Sequence, residues 1–393
     1  MELLKLQIII LFKETSFSIR SILIAETSKF ELLAVCSPGL EKVLTKELQE
    51  LEFKNLMPIT GGVEFIGDWF QVWRANVLLR TATRILVRLG EFYALHLAQL
   101  DKRACKFPWP KYLKAQHPVR VEVVSRKSKI YHARAAAERI ENAIVNSVGN
   151  RISKDADICI KVRIEKNLVK ISIDSTGEGL HKRGYKSFTG KAPMRETLAS
   201  AFLKMCDFDP AQPLIDPMCG SGTFVIEAAE IAIGVAPGRR RDFSFQKLKS
   251  FDLKAFKTIL KDQKLIPRLE LNLFGYDRDN GAIKNSIKNA ELANVSHITN
   301  FESQSISDLS PLSNQCGLVI FNPPYGGRIG DKKILYALYA KIGMVLKSKF
   351  NGWRVGLITA DGSLAKTTQI KFSFVSEPIN HGGLKVRFYY ATL

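Results

Sequence analysis

In the carboxy-terminal half of the chain, short apolar runs alternate with longer amphipathic stretches. Pro213-Leu214-Ile215, Leu271–Tyr276, Ile298–Phe301, Gly317–Phe321, Trp353–Thr359 and Leu384–Tyr390 predict strands. Thr223–Ile233, Asn280–Leu292 and Ile334–Phe350 predict helices between them. Such alternation specifies a doubly wound, mostly parallel sheet with ligands at the carboxyl ends of its strands. The amino-terminal half reads differently. Glu31–Cys36 predicts a strand, and Ser37 and Pro38 suit the start of a helix whose apolar face is Leu40, Val43, Leu44, Leu48 and Leu51. Gly61-Gly62 separates two short strands, Trp69–Leu79 predicts a helix, and Ile85–Leu89 a strand. Strand–helix–strand–strand–helix–strand is the order of a ferredoxin-like module. A second α+β unit follows. Val119, Val121 and Val123 alternate with Arg120 and Glu122, Tyr131–Val148 predicts a helix, and Lys166-Asn167 joins two alternating runs as a hairpin. Asp174–Tyr185 is turn-rich, which suits a linker or a junction facing the active site.

Charge changes the picture most. The chain of 393 residues carries a net charge of +20. Residues 101–170 hold 17 Lys and Arg against 7 Asp and Glu, so a net +10 sits on the second unit. That concentration points to a polyanionic partner, and nucleic acid is the expectation. The six cysteines form no Cys-x-x-Cys pair, and neither they nor the six histidines show metal-ligand spacing. Buried reduced thiols, no metal and a cytoplasmic location are expected. Leu6–Phe12 is apolar but far short of the ~20 residues of a spanning helix. Residues 1–28 read as an extension outside the folded unit, and no membrane association is expected.

Candidate chemistry gathers at strand ends. Leu214-Ile215-Asp216-Pro217-Met218-Cys219-Gly220-Ser221-Gly222-Thr223 runs from a strand through a glycine turn into a helix. Main-chain N–H groups there can meet a ligand that side chains would obstruct. The turn lacks a phosphate-loop lysine, and Val225 fills the third position of a dinucleotide fingerprint. Leu318–Phe321 leads directly into Asn322-Pro323-Pro324-Tyr325-Gly326-Gly327. The lone pair of a nucleobase amine is delocalised into its ring, which makes it a poor nucleophile. The Asn322 oxygen and the Pro323 carbonyl can accept from that amine and stabilise the charge that develops on attack. Tyr325 offers a face for a base drawn out of its stack. Asp216, Asp277, Asp308 and Asn322 all fall at or just after strand ends.

The Asp-Pro-Met-Cys-Gly-Ser-Gly-Thr and Asn-Pro-Pro-Tyr-Gly segments resemble the two signature motifs of class I S-adenosylmethionine-dependent amino-methyltransferases. The resemblance extends to Asp-x-x-Gly-Glu-Gly-Leu-His-x-Arg-Gly-Tyr and Arg-Glu-Thr-Leu-Ala, and the basic unit is similar to a THUMP RNA-binding domain. It covers about residues 30–393 and is nearest the amino-terminal catalytic half of bacterial 23S ribosomal RNA guanine-N2 methyltransferases. In some bacteria those are fused to a second enzyme making 7-methylguanosine. With Leu393 as the last residue, that second activity is not expected. The resemblance implies a Rossmann-like methyltransferase domain over 190–393, a ferredoxin-like part over 29–70 and a THUMP domain over 71–182. It implies S-adenosylmethionine held by Thr197, Asp216, Pro217, Gly220, Gly222, Asp277, Asp308 and Asn322. Asp277 would take the ribose hydroxyls and Asp308 the adenine amine. Asn322, Pro323 and Tyr325 would hold the target guanine. Arg126, Lys127, Lys129, Arg134, His181 and Arg183 would contact RNA. Three alternatives stay open: a transfer RNA guanine-N2 enzyme, a DNA adenine-N6 enzyme, and a silent RNA-binding factor.

Overall fold

A computed structural model describes residues 29–188, 193–262, 271–311, 313–326 and 332–393. The extension expected over residues 1–28, Ala192 and Gly327 lie outside the described residues.

The chain begins with β1 (Phe30–Val35), α1 (Glu41–Glu50), β2 (Met57–Ile59), β3 (Gly62–Gly67), α2 (Trp69–Leu78) and β4 (Arg84–Tyr93), the order the pattern predicts. α1 starts later than Ser37 and Pro38 suggest, with Leu40 at its N-cap and no side-chain cap. Glu41 replaces the cap: its carboxylate accepts from the N–H groups of Gly39 (2.9 Å) and Gly61 (2.7 Å), tying the helix start to the β2–β3 turn. α3 (Leu97–Cys105), β5 (Val119–Arg126), α4 (Ala133–Val148), β6 (Ile158–Glu165) and β7 (Leu168–Asp174) follow. α3 is not evident in the sequence, because its N-cap is His96, which accepts from Gln99 N–H. Lys166 and Asn167 both take positive φ (49° and 67°), the geometry of a tight hairpin turn between β6 and β7.

These strands form one sheet in the order β2-β3-β1-β4-β7-β6-β5. Only the β5–β6 pair is parallel. The boundary expected at residues 70/71 falls inside α2, and the two units share the β4–β7 ladder, Leu86–Tyr93 against Leu168–Asp174.

The remaining elements are α5 (Glu196–Met205), β8 (Leu214–Asp216), α6 (Thr223–Ala232), α7 (Leu253–Lys261), β9 (Leu273–Asp277), α8 (Asn280–Ala293), β10 (Asn300–Ser303), β11 (Leu318–Phe321), α9 (Lys332–Lys349), β12 (Arg354–Thr359), α10 (Gly362–Thr367), β13 (Phe374–Val375), β14 (Ile379–His381) and β15 (Leu384–Thr392). Their sheet runs β10-β9-β8-β11-β12-β15-β13. It is parallel from β10 to β12 and antiparallel at β15. The central strands β8 and β11 are buried along their whole length. β8 pairs with β9 on one side and β11 on the other, so the strand order reverses there and leaves a crevice at their carboxyl ends.

The two sheets meet at a polar seam. Asp174, Ser175 and Thr176 are fully buried. Asn76 on α2 donates to Ser175 Oγ (2.9 Å) and accepts from Thr176 Oγ1 (2.6 Å), while Ser244 Oγ donates to the Asp174 carbonyl (2.6 Å). The turn-rich Asp174–Tyr185 segment is therefore a joint between the units, buried at Asp174–Thr176, Leu180, Arg183 and Tyr185 and exposed at Glu178, Lys182 and Gly184.

Candidate active site

The crevice at the ends of β8 and β11 collects the chemistry. Asp216 ends β8 and is 2% exposed, accepting from Met218 N–H (3.1 Å). Burial, with the nearby Asp277 charge adding to it, pushes its carboxyl well above the usual carboxylate range. Asp277 ends the neighbouring β9 and accepts from Gly220 N–H (3.1 Å) and Asp279 N–H (3.0 Å). Each of its oxygens keeps acceptor capacity for a ligand hydroxyl. Pro217 is buried in the turn that follows Asp216.

Gly220 and Gly222 have φ of +56° and +78°, in the left-handed region. A Cβ at Gly220 would meet nothing within 4 Å, so the backbone there borders open space. At Gly222 it would press on the Phe301 ring at 3.0 Å. Gly222 is the N-cap of α6, whose first residue is Thr223. Thr197, on the first turn of α5, is 1% exposed. Its Oγ1 has no hydrogen-bond partner among the described residues.

Across the crevice, Asn322 follows β11 directly. Its Oδ1 is buried and likewise has no partner among the described residues. An unmet buried acceptor costs about 1–3 kcal/mol, so the fold keeps it at a price that a donor ligand would remove. Pro323 is buried beside it. Tyr325 is half-buried and packs against both hydrophobic clusters of the protein, which fixes its ring. Asp308 is exposed in the turn after β10, its N–H bonded to Ser305 O (3.0 Å).

S-adenosylmethionine fits this set. Its positive groups suit the buried Asp216 and the half-buried Asp277, its hydroxyls suit Asp277, and open space lies over Gly220. Among the described residues, no group of His, Cys, Asp and Glu could hold a metal ion. No helix among them is long and apolar enough to cross a membrane.

The residues expected to meet RNA divide. Arg126, Lys127, Lys129 and Arg134 are exposed at one end of the first sheet. The turn that bears them is zipped to the β6–β7 hairpin: Lys129 N–H donates to Asn167 Oδ1 (2.8 Å) and Asn167 N–H to Ser128 Oγ (3.0 Å). Arg183 is a correction. Its side chain is 1% exposed and forks onto Glu227 at 3.1 and 3.4 Å, with Leu180 O and Arg80 O as further acceptors. It belongs to the seam and cannot reach RNA. His181 is corrected in part: burial, and then the neighbouring Arg195 charge, push its imidazole down to about 4, so it brings no positive charge at neutral pH.

The sequence reading missed the seam's partners. Glu227 and Glu230 lie in the apolar run Thr223–Ile233 and are both fully buried. Arg80, before β4, reaches both of them (3.4 and 3.7 Å), and Arg239 binds Glu230 at 2.7 Å. Two acids on an otherwise apolar helix are the available signal, since such acids persist only beside cations. Lys186, Ser286 and Asn289, which brace the glycine turn, gave no signal.

Comparison with known proteins agrees with this geometry. The family described as RMKL-like, methyltransferase domain, matches residues 183–386. The RlmL ferredoxin-like domain matches 31–86 and the THUMP domain 96–174. A Synechocystis protein named for RNA methyltransferase activity is 33% identical over 89% of this chain and 94% of its own. Ribosomal RNA large subunit methyltransferase K/L of Vibrio cholerae is 32% identical over 87% of this chain and 50% of its own length. The chain thus spans about half of that relative. The solved structure of the methyltransferase SMU.472, complexed with SAH, superposes with a TM-score of 0.85 at 28% identity, covering 93% of this chain and 98% of that one. The chain belongs to the RMKL-like methyltransferase family, as an RNA methyltransferase that uses S-adenosylmethionine.

Proposed function

We propose that the chain methylates the exocyclic N2 amine of a guanine in 23S ribosomal RNA, acting in the cytoplasm. The observation that carries this reading is the buried Oδ1 of Asn322, without a partner among the described residues, at the switch point of the sheet. When bound, S-adenosylmethionine supplies an electrophilic methyl group on a sulfonium. Asp216, Thr197, Gly220 and Gly222 would seat its methionine part, Asp277 its ribose and Asp308 its adenine. Asn322 and the Pro323 carbonyl accept from the guanine amine and hold it so that its lone pair can point at the methyl. Their oxygens stabilise the positive charge that appears on nitrogen, and they are already in place before it does. Tyr325 holds the base by its face, which fits a nucleotide taken out of its stack. No side chain is needed as a strong base, because the amine proton becomes acidic once the nitrogen is cationic. The names of the K/L relatives support ribosomal RNA as the substrate, and the exposed basic end of the THUMP unit suits recognition of RNA by backbone and shape.

Incubation with labelled S-adenosylmethionine and separate pools of 23S rRNA, tRNA and DNA tests the reading. Label in 23S rRNA, recovered as N2-methylguanosine, is expected. Label only in tRNA or in DNA adenine would replace the substrate. Asn322→Ala should bind cofactor and RNA yet transfer ~10²–10³ more slowly in single turnover. Tyr325→Phe should be mild and Tyr325→Ala severe, since stacking needs the ring. Transfer by Asn322→Ala at the wild-type rate would sink this mechanism.

A further inference from the structure

The glycine turn of the cradle is braced from behind by residues that no motif marks. Ser286 and Asn289 stand one turn apart on α8, and both are fully buried. Ser286 Oγ donates to Gly220 O (2.9 Å) and Asn289 Nδ2 to Ser221 O (3.1 Å), so both carbonyls are held and the peptide planes of the turn are set. The same Asn289 amide grips a second segment. Phe188 N–H donates to its Oδ1 (3.3 Å), and its Nδ2 donates to Phe188 O (2.8 Å). Two residues earlier, Lys186 Nζ donates to Thr223 Oγ1 (2.8 Å) and Met194 O (2.7 Å) and pairs with Glu196 at 3.2 Å. Thr223 opens α6 and Glu196 opens α5, beside Thr197. Segment 186–188 therefore ties the glycine turn to α5, α6 and α8 together.

The Lys186–Glu196 pair is almost fully enclosed, at 9% and 4% side-chain exposure. An enclosed ion pair adds little stability over apolar residues of the same shape. What apolar residues could not do is aim donors at Thr223 Oγ1 and Met194 O. We propose that Lys186 and Asn289 are positioning residues for the cofactor: they brace the glycine turn through segment 186–188 and so set its affinity for S-adenosylmethionine. This rests on the cofactor site described above and adds to it two residues that hold the cradle in shape.

The test uses the full chain, with S-adenosylhomocysteine as the non-reacting probe in calorimetry, thermal unfolding alongside, and steady-state kinetics. Lys186→Met alone leaves Glu196 buried without its cation and should lower Tm. Lys186→Met/Glu196→Gln removes both charges at similar volume and should recover most of that Tm. It should still bind the probe about 10–100-fold more weakly, the worth of lost hydrogen bonds from a charged donor. Asn289→Ala should weaken binding in the same direction. In each case KM for S-adenosylmethionine should rise at least tenfold more than kcat falls, and Lys186→Arg should recover part of the affinity. Recovery of Tm and probe affinity together in the double variant would reduce the pair to a structural role and overturn the proposal. Unchanged affinity in Asn289→Ala would do the same. If the wild-type chain bound no probe, the cofactor reading would fall with it; if only the variants matched the wild type, this inference alone would fall.

Discussion

Two buried carboxylates, Glu227 and Asp216, show how a finished structural network differs from a binding site. Both are enclosed in the methyltransferase domain, at 0% and 2% exposure. Burial alone would raise both. At Glu227 the Arg183 and Arg80 guanidiniums, with hydrogen bonds from Arg183 and Ser200, more than reverse it, so the carboxyl sits below its ordinary value. At Asp216 a single backbone N–H and the like charge of Asp277 leave it well above. The seam acid has its cations within the protein. The site acid has none among the described residues, and a positively charged ligand would complete it. A buried acid without a cation thus marks a site, whereas one with two cations marks a joint.

The comparison breaks most visibly at Glu227. Glu227→Gln leaves Arg183 buried without its partner charge, and Arg183→Met leaves Glu227 with only the longer Arg80 contact. Each should cost about 3–5 kcal/mol and lower Tm sharply. Both changes strike the contact between the units. A Tm within a degree of wild type would show that the seam does not depend on this network.

Asp216→Asn should do the opposite to stability. It removes a buried carboxyl that is costly to ionise, so Tm should hold or rise, while S-adenosylhomocysteine binding drops ~10-fold or more in calorimetry. The pH dependences also oppose. Glu227, depressed in the folded state, contributes stability above the ordinary glutamate range that is lost as pH falls through that range. Asp216, raised in the folded state, costs stability as pH climbs from the ordinary aspartate range through its raised value. Cofactor affinity should therefore increase with pH across that window, with proton release on binding. Calorimetry in buffers of different ionisation enthalpy would measure the release, and its absence would show that Asp216 is already ionised in the free protein.

Cations obey the same division, with a smaller expected effect. Arg126, Lys127 and Lys129 are solvated, so reversing all three should leave Tm unchanged within ~0.5 kcal/mol of stability. It should flatten the log–log salt dependence of RNA binding by about 2–3, since each phosphate contact contributes roughly 0.7–0.9. An unaltered slope would move the RNA surface elsewhere. The smallest effect belongs to His181. Its imidazole titrates near 4 and is neutral at pH 7, so His181→Gln should leave the salt slope untouched between pH 6 and 8. A slope that steepened on acidification toward pH 6 in the wild type alone would show that the ring is charged on RNA.

Most of the fold was legible in the sequence. Alternating apolar runs mark the strands that became β8, β9, β11 and β12, because a strand buried on both faces has no other composition available. The glycine turn and Asn-Pro-Pro-Tyr were legible because their chemistry needs particular residue types at consecutive positions. α3 was not legible, since its cap is a histidine. Arg183 was expected to contact RNA, and nothing local reveals that Glu227 lies against it.

What the sequence by itself determined was the order of elements, the basic character of the second unit and the identity of the groups at the strand ends. Periodicity and local turn chemistry act over a few residues and leave a direct record there. Only the tertiary structure decided which charges are paired. Arg80, Arg183 and Glu227 come from distant stretches and meet because two sheets pack at one seam. Asn289 and Lys186 reach the glycine turn in the same way, from 68 and 37 residues away in the chain. Whether a charge is solvated, compensated or left waiting for a ligand depends on what packs against it, and that depends on the whole fold.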